Sequence, residues 1–189
     1  MKKGWQFIDD AGTFQMPDPH HTSYLYFPLL NEAGMVSSIT PLLNGDSKTS
    51  QNSFLLLPTS VEDMHNSRSA RNFWLKINGE EVWSVTGNSA AQTATRNTPQ
   101  EDEVTLTAGF LWHTISREQR AFGIKAETTN FVPVGNSTLE LMRVKLSNCS
   151  DKTLRISPTA AIPIYGRSAD NLRDHRHVTS LLHRITCVE

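Results

Sequence analysis

The chain is short of cysteine, of net charge and of long apolar runs, and each shortage removes a class of protein. Two cysteines in 189 residues, Cys149 and Cys187, cannot build the disulfide framework of a small secreted scaffold, and neither stands in a C-x-x-C pair. Both are expected as free, buried thiols. Lys and Arg number 18 against 19 Asp and Glu, a formal charge of −1, so bulk charge selects no partner and a strongly basic nucleic-acid binder is excluded. No run comes near the roughly 20 apolar residues that cross a bilayer. The start, from Met1 to Gly12, lacks the apolar stretch of an export signal. The expectation is a cytoplasmic protein without a membrane or nucleic-acid partner, in which the sequons at Asn136 and Asn148 are idle. Internal repeats, low-complexity tracts and a Gly-x-Ser-x-Gly nucleophile elbow are also missing.

What the chain has in quantity is short β-forming segments separated by Gly, Asn, Asp and Pro, and its 38% of hydrophobic residues can furnish one core. That pattern predicts an all-β, antiparallel sandwich occupying residues 1–189. Trp5–Ile8 and Thr13–Gln15 read as a hairpin about the turn Asp9–Gly12. Further strands are expected at Tyr24–Phe27, Met35–Thr40 and Phe54–Leu57, the last ended by Pro58. Phe73–Ile77 and Glu80–Val85 make the clearest hairpin, because Asn78-Gly79 supplies the positive φ angles of a type I′ turn.

Ala90–Glu103 is polar and reads as an exposed loop. Val104–Ile115 then reads as one long strand with a bulge at Gly109. Phe122–Val134 and Leu139–Asn148 follow, the second with Leu139 and Leu141 inward, then Val144 and Leu146 inward after a one-residue slip. Ser150–Lys152 turns the chain into a strand begun at Leu154. Near the end, Val178, Leu181, Leu182 and Ile185 sit at helical spacing, whereas Ile185–Val188 is β-rich; a polar loop to about His177 followed by a strand is preferred. The chain stops inside this element, so a sandwich incomplete at its C-terminus is expected.

Candidate chemistry concentrates in two basic stretches. Between Arg167 and Arg184 stand four Arg and three His against Asp170 and Asp174, an excess of donors suited to phosphate, a carboxylate or an acidic partner. Pairing of Arg173 and Arg176 with those acids, merely to hold a loop, is the competing reading. Val61–Trp74, which carries His65, Arg68 and Arg71, is unusually polar just before a strong strand and can line a cleft or an interface. His175 and His177, or His20 and His21, offer two metal ligands but no third. Glu62, Asp63, Glu80, Glu81 and the run Glu101–Glu103 are the acids available; the last three are expected to be solvated, whereas a general acid for glycosidic cleavage needs partial burial to raise its pKa. The aromatics Trp5, Trp74, Trp83, Trp112, Tyr24 and Tyr26 can stack on sugar rings, although a Trp in a sandwich more often fills the core.

Five stretches carry a resemblance: Trp5–Asp10, Tyr24–Met35, Gln51–Leu56, Asn66–Trp74 and Ala169–Arg184. Together they resemble the N-terminal domain of the inverting glycoside phosphorylases, the group of cellobiose, chitobiose and β-oligoglucan phosphorylases once classed among glycosyltransferases. The resemblance spans essentially the whole chain. It implies a β-supersandwich of galactose-mutarotase-like type, followed in a longer protein by a helical linker and an α/α barrel. It also implies reversible phosphorolysis of a β-glucan oligosaccharide or disaccharide to a sugar 1-phosphate, with inorganic phosphate as co-substrate and no cofactor or metal. The general acid of that family lies in the barrel, so no residue here inherits the role, and no activity is expected of these 189 residues alone. The family's N-terminal domain supports a homodimer and reaches the partner's active site. By that resemblance Arg68, Arg71, Arg173, Asp174, His175, Arg176 and His177 are the candidate substrate-contacting residues.

Two other functions compete. One is a stand-alone carbohydrate-binding or interaction module that uses exposed aromatics on a sandwich face. The other is an independent hydrolase, which the lack of a desolvated acid pair disfavours.

Overall fold

A computed structural model describes residues 4–19, 25–60, 62–64, 69–95, 98 and 102–168. In chain order the strands are β1 (Gln6–Phe7), β2 (Phe14–Pro17), β3 (Phe27–Leu30), β4 (Val36–Ile39), β5 (Ser47–Lys48), β6 (Ser53–Leu56), β7 (Asn72–Ile77), β8 (Glu81–Ser84), β9 (Asp102–Gly109), β10 (Trp112–Gln119), β11 (Ile124–Phe131), β12 (Leu141–Asn148), β13 (Ile156–Ala161) and β14 (Arg167–Ser168). A five-residue helix, α1 (Ala90–Ala94), is the one helix among the described residues. The described part of the chain is an antiparallel all-β fold, as expected, and no helix in it is long and apolar enough to cross a membrane.

One layer is a six-stranded sheet in the order β1-β2-β9-β10-β11-β12. The facing layer is two sheets side by side, β14-β6-β5-β4-β3 and β13-β7-β8. Period-2 alternation decides which residues lie between the layers. Val104, Leu106, Ala108 and Ile115 from the large sheet meet Phe27, Leu29, Met35 and Ile39 from the five-stranded sheet and its turns. Ile124 and Ala126, with Val144 and Leu146 packed alongside, meet Leu75, Ile77, Trp83 and Val85 from the three-stranded sheet. The two clusters together form the sandwich interior.

Several sequence expectations hold. The opening hairpin pairs Phe7 with Phe14, and Asn78 and Gly79 adopt φ of 53° and 83° in the predicted turn. Four expectations are corrected. The strand expected from Tyr24 begins at Phe27, with Leu25 and Tyr26 outside it, and Pro28 is accommodated because β3 is a sheet edge. The expected single strand Val104–Ile115 is two: the chain reverses at Phe110 and Leu111, pairing Gly109 with Trp112. Leu111 takes a φ of 60°, so a two-residue turn replaces the bulge. In β12 no slip occurs, because Met142, Val144 and Leu146 point to the interior throughout while Leu139 and Leu141 are exposed. Cys149, expected as a buried thiol, is free but exposed just beyond β12. Cys187 and the ambiguous C-terminal element lie outside the described residues.

The interior contains a titratable group whose ring nitrogens have no hydrogen-bond partner among the described residues. His113 on β10 is fully buried and stacks on Phe27 with ring centroids 5.0 Å apart. Burial, with the nearby Arg71 charge adding to it, lowers its pKa to about 3. Neutral in the fold, His113 takes up a proton on unfolding at any pH between that value and its ordinary 6.5. Its contribution to stability is therefore whole above about pH 6.5 and disappears as pH falls toward 3, at about 1.4 kcal/mol per pH unit. Urea titrations of wild type and His113→Phe between pH 7 and 4 should differ by this slope. Parallel pH profiles for the two proteins would contradict the assignment.

Candidate functional site

The polar centre of the molecule lies where the three sheets meet. Segment 43–46, between β4 and β5, and segment 69–71, which leads into β7, are zipped together by main-chain bonds. Arg71 N donates to Leu43 O at 3.0 Å, Gly45 N donates to Ser69 O at 2.8 Å, and Asn44 bridges Ala70. Gly45 has a φ of 134°, and a Cβ on it would lie 1.8 Å from Ser38 O, so only glycine fits this crossing.

From that crossing the Arg71 side chain runs into the interior. Its Nε donates to Glu140 Oε1 and its Nη2 to Glu140 Oε2, each at 2.7 Å, the two-pronged geometry that suits guanidinium and carboxylate. The same guanidinium donates to Gly45 O at 3.0 Å and Asp46 O at 2.9 Å. Four of the five guanidinium hydrogens are thereby committed. Ser37 Oγ donates to Glu140 Oε2 at 2.5 Å and lies 3.0 Å from Ser47 Oγ. The ion pair is almost fully enclosed, with Arg71 2% and Glu140 11% exposed. Beside it, Asp46 has its pKa raised by burial, against the opposing pull of Thr59 N, Lys48 and Arg71.

A cleft of about 250 Å³ opens over this pair, with Ser47, Leu55, Leu56, Met142, Ile162 and Ile164 as its other walls. Arg71 is the one sequence-predicted site residue among the described residues, and it borders the cleft from a buried position. Arg68, Arg173, Asp174, His175, Arg176 and His177 lie outside the described residues. Glu140 was not among the sequence candidates; a lone Glu preceding an amphipathic strand carries no signal that it will be buried.

A second cleft of about 350 Å³ lies between β8, α1 and the start of β9, with Trp83, Gln92, Asp102, Gln119 and Phe122 among its walls. Asp102, expected in a solvated loop, is buried as the first residue of β9. Its carboxylate accepts from Gln92 Nε2 at 2.8 Å, Arg117 Nη1 at 2.9 Å, Gln119 Nε2 at 3.0 Å and Trp83 Nε1 at 3.3 Å. Two signals were available in the chain. Asp102 continues the alternation of Val104, Leu106 and Ala108 by one step, and Ser89-Ala-Ala-Gln92 is a capping box, which forms here at the start of α1. Burial pushes the Arg117 guanidinium below its usual pKa, and Asp102 opposes that shift.

Neither cleft presents an acid arranged for catalysis. Asp102 and Glu140 are engaged by several donors each, and Glu62, Asp63, Glu80 and Glu81 are exposed. Among the described residues no three His, Cys, Asp or Glu side chains converge as metal ligands do. Trp83 fills the core, whereas Trp5 is 57% exposed.

Comparison with known protein families gives a match. Residues 44–188, well over half of the chain, match the family model described as Glycosyl hydrolase 94, supersandwich domain. No curated protein matches the chain.

Removing one partner of the buried pair leaves the other charge uncompensated, which costs about 3–5 kcal/mol. Arg71→Met and Glu140→Leu should each lower the unfolding free energy by that order, while the double variant should recover most of the loss. Chemical denaturation of the four proteins provides the check; additive losses in the double variant would remove the pair from its coupling role.

Proposed function

We propose that this chain, which belongs to the glycosyl hydrolase 94 family by its supersandwich domain, is the N-terminal domain of an enzyme that cleaves β-glucosidic bonds with inorganic phosphate. The match of residues 44–188 carries the reading. In an inverting phosphorolysis, a phosphate oxygen bonds to the anomeric carbon from the face opposite the leaving sugar oxygen. The glycosidic bond breaks as a carboxylic acid protonates that oxygen, and the product is a sugar 1-phosphate of inverted configuration. Of the buried acids described here, Asp102 and Glu140 are each held by several donors, and Asp46, whose pKa burial raises, is a wall of neither cleft, which supports a general acid supplied from outside this domain.

The role proposed for the domain is support of a cytoplasmic homodimer and of its active sites. Segment 69–71 supports that role, because it is fixed by main-chain bonds to 43–45 and by the Arg71–Glu140 pair. The basic stretch Arg173–His177 is proposed to contact phosphate, sugar or the partner subunit, for which Arg provides paired, directional donors.

The test uses the intact enzyme. Phosphate released from glucose 1-phosphate, measured across β-1,2-, β-1,3- and β-1,4-linked acceptors, should identify one preferred linkage. Arg173→Ala should lower kcat/KM by about tenfold or more, equivalent to the loss of one charge-assisted contact. Unchanged kinetics together with unchanged dimerisation would remove Arg173 from the site. Phosphorolysis by residues 1–189 alone would overturn the supporting role of the domain.

A further inference from the structure

The two clefts leave unexplained a surface on the other side of the molecule. The outer face of the six-stranded sheet carries aromatic groups that belong to neither interior cluster. Strand register places Gly109, Trp112, Phe131 and Leu141 side by side in one row across β9 to β12. Trp112 and Phe131 alternate with the buried His113 and Asn130, so their rings stand on the outer face, where Leu141 is 42% exposed. The Trp112 indole lies against the bare backbone of Gly109, where any Cβ would come within 2.6 Å of the ring. Two residues along each strand, a polar row runs parallel to the aromatic one.

That row consists of Gln6, Gln15, Thr107, Thr114, Thr129 and Arg143, one residue from each of the six strands. It crosses five inter-strand spacings, about 24 Å. The Thr114 and Thr129 hydroxyls lie 2.8 Å apart in its middle. From Gln6 to Thr129 it carries no formal charge. The neighbouring acid, Glu127, is matched by Lys145 at 3.0 Å, and that contact, more than any other, lowers its pKa.

We propose that this outer face is a binding platform for an uncharged, β-linked oligosaccharide chain, with Trp112 as its stacking surface and the Gln/Thr row as its hydrogen-bonding rail. A pyranose offers an apolar C–H face and a rim of hydroxyls. The aromatic row accommodates the first, and the amides and hydroxyls, which both donate and accept, accommodate the second. The long axis of the rail matches an extended chain better than a single sugar. Its central neutrality fits an uncharged ligand, whereas nucleic acid or an anionic membrane would require a basic surface. The inference takes only its ligand class, carbohydrate, from the function proposed above, and platform binding does not require phosphorolysis.

The experiment is native gel electrophoresis of the full-length protein through gels containing barley β-glucan, with dextran gels as control. Wild type should be retarded by β-glucan and not by dextran. Trp112→Ala and Thr129→Val should each weaken the retardation about tenfold, whereas Trp5→Ala, which alters an aromatic packed on the Phe7 and Phe14 side, should not. Should Trp112→Ala fail to fold, as judged by circular dichroism, Gly109→Ala replaces it, since a methyl group there displaces the indole. Absence of wild-type retardation, or full retardation of folded Trp112 and Thr129 variants, overturns the platform. A change of oligomeric state in those variants without a change in retardation also overturns it, by making the face an interface between copies. A parallel phosphorolysis assay separates the two ideas, because lost turnover with intact retardation contradicts the enzyme reading alone.

Discussion

The buried pair Arg71–Glu140 is the constraint from which the arrangement of the molecule follows. Each of the three sheets contributes to it: Gly45 and Asp46 stand between strands of the five-stranded sheet, Arg71 precedes the three-stranded sheet, and Glu140 precedes the last strand of the six-stranded sheet. Two apolar clusters fill the space on either side, but they meet different sheets, and hydrophobic contact is non-directional. A guanidinium with four committed donors is directional. It converts loose apposition of three sheets into one register, although the desolvation of both charges means the pair need not raise stability over an apolar replacement. Ser37 and the glycine crossing at Gly45 exist in service of the same contact.

Regularities of short range were legible in the chain, and those set by three-dimensional neighbours were not. The Asn78-Gly79 hairpin was readable because a type I′ turn demands residues tolerant of positive φ, and the alternation of Ile124 to Phe131 was readable because the pleat has period two. The Phe110-Leu111 turn was not, since neither residue favours a turn. Apolar character on both sides hid the reversal, and Gly109, taken as a bulge, is small because the Trp112 ring occupies its side-chain space. Asp102 was misread for a related reason: a carboxylate looks solvated until its four donors, which come from β8, α1 and β10, are known. Of the site, the importance of Arg71 was visible as an Arg in a polar run before a strand. Its partner lies 69 residues away, a separation at which local pattern carries no information.

The chemistry of the domain is consistent with a division of labour. Catalysis of glycosidic cleavage requires an acid whose proton is available to a leaving group, and here the acids that border the two clefts from buried positions, Asp102 and Glu140, are held by several donors each, while Asp46, raised by burial, borders neither cleft. What the fold provides instead is a frame: the fixed segment 69–71, an enclosed polar centre, and an outer sheet face of aromatic and hydroxyl rows. That frame supports the proposed reading, in which this member of the glycosyl hydrolase 94 supersandwich family holds carbohydrate for chemistry located elsewhere.

The central claim is that the three sheets form one cooperative unit through the Arg71 crossing, and native-state hydrogen exchange tests it most directly. The amides of Gly45 and Arg71, which close the crossing, should exchange as slowly as those of Leu106 and Ile115 in the middle of the large sheet, at the rate set by global unfolding. Exchange at Gly45 and Arg71 several orders of magnitude faster, with Leu106 and Ile115 still protected, would show that the crossing opens by itself and would contradict the account.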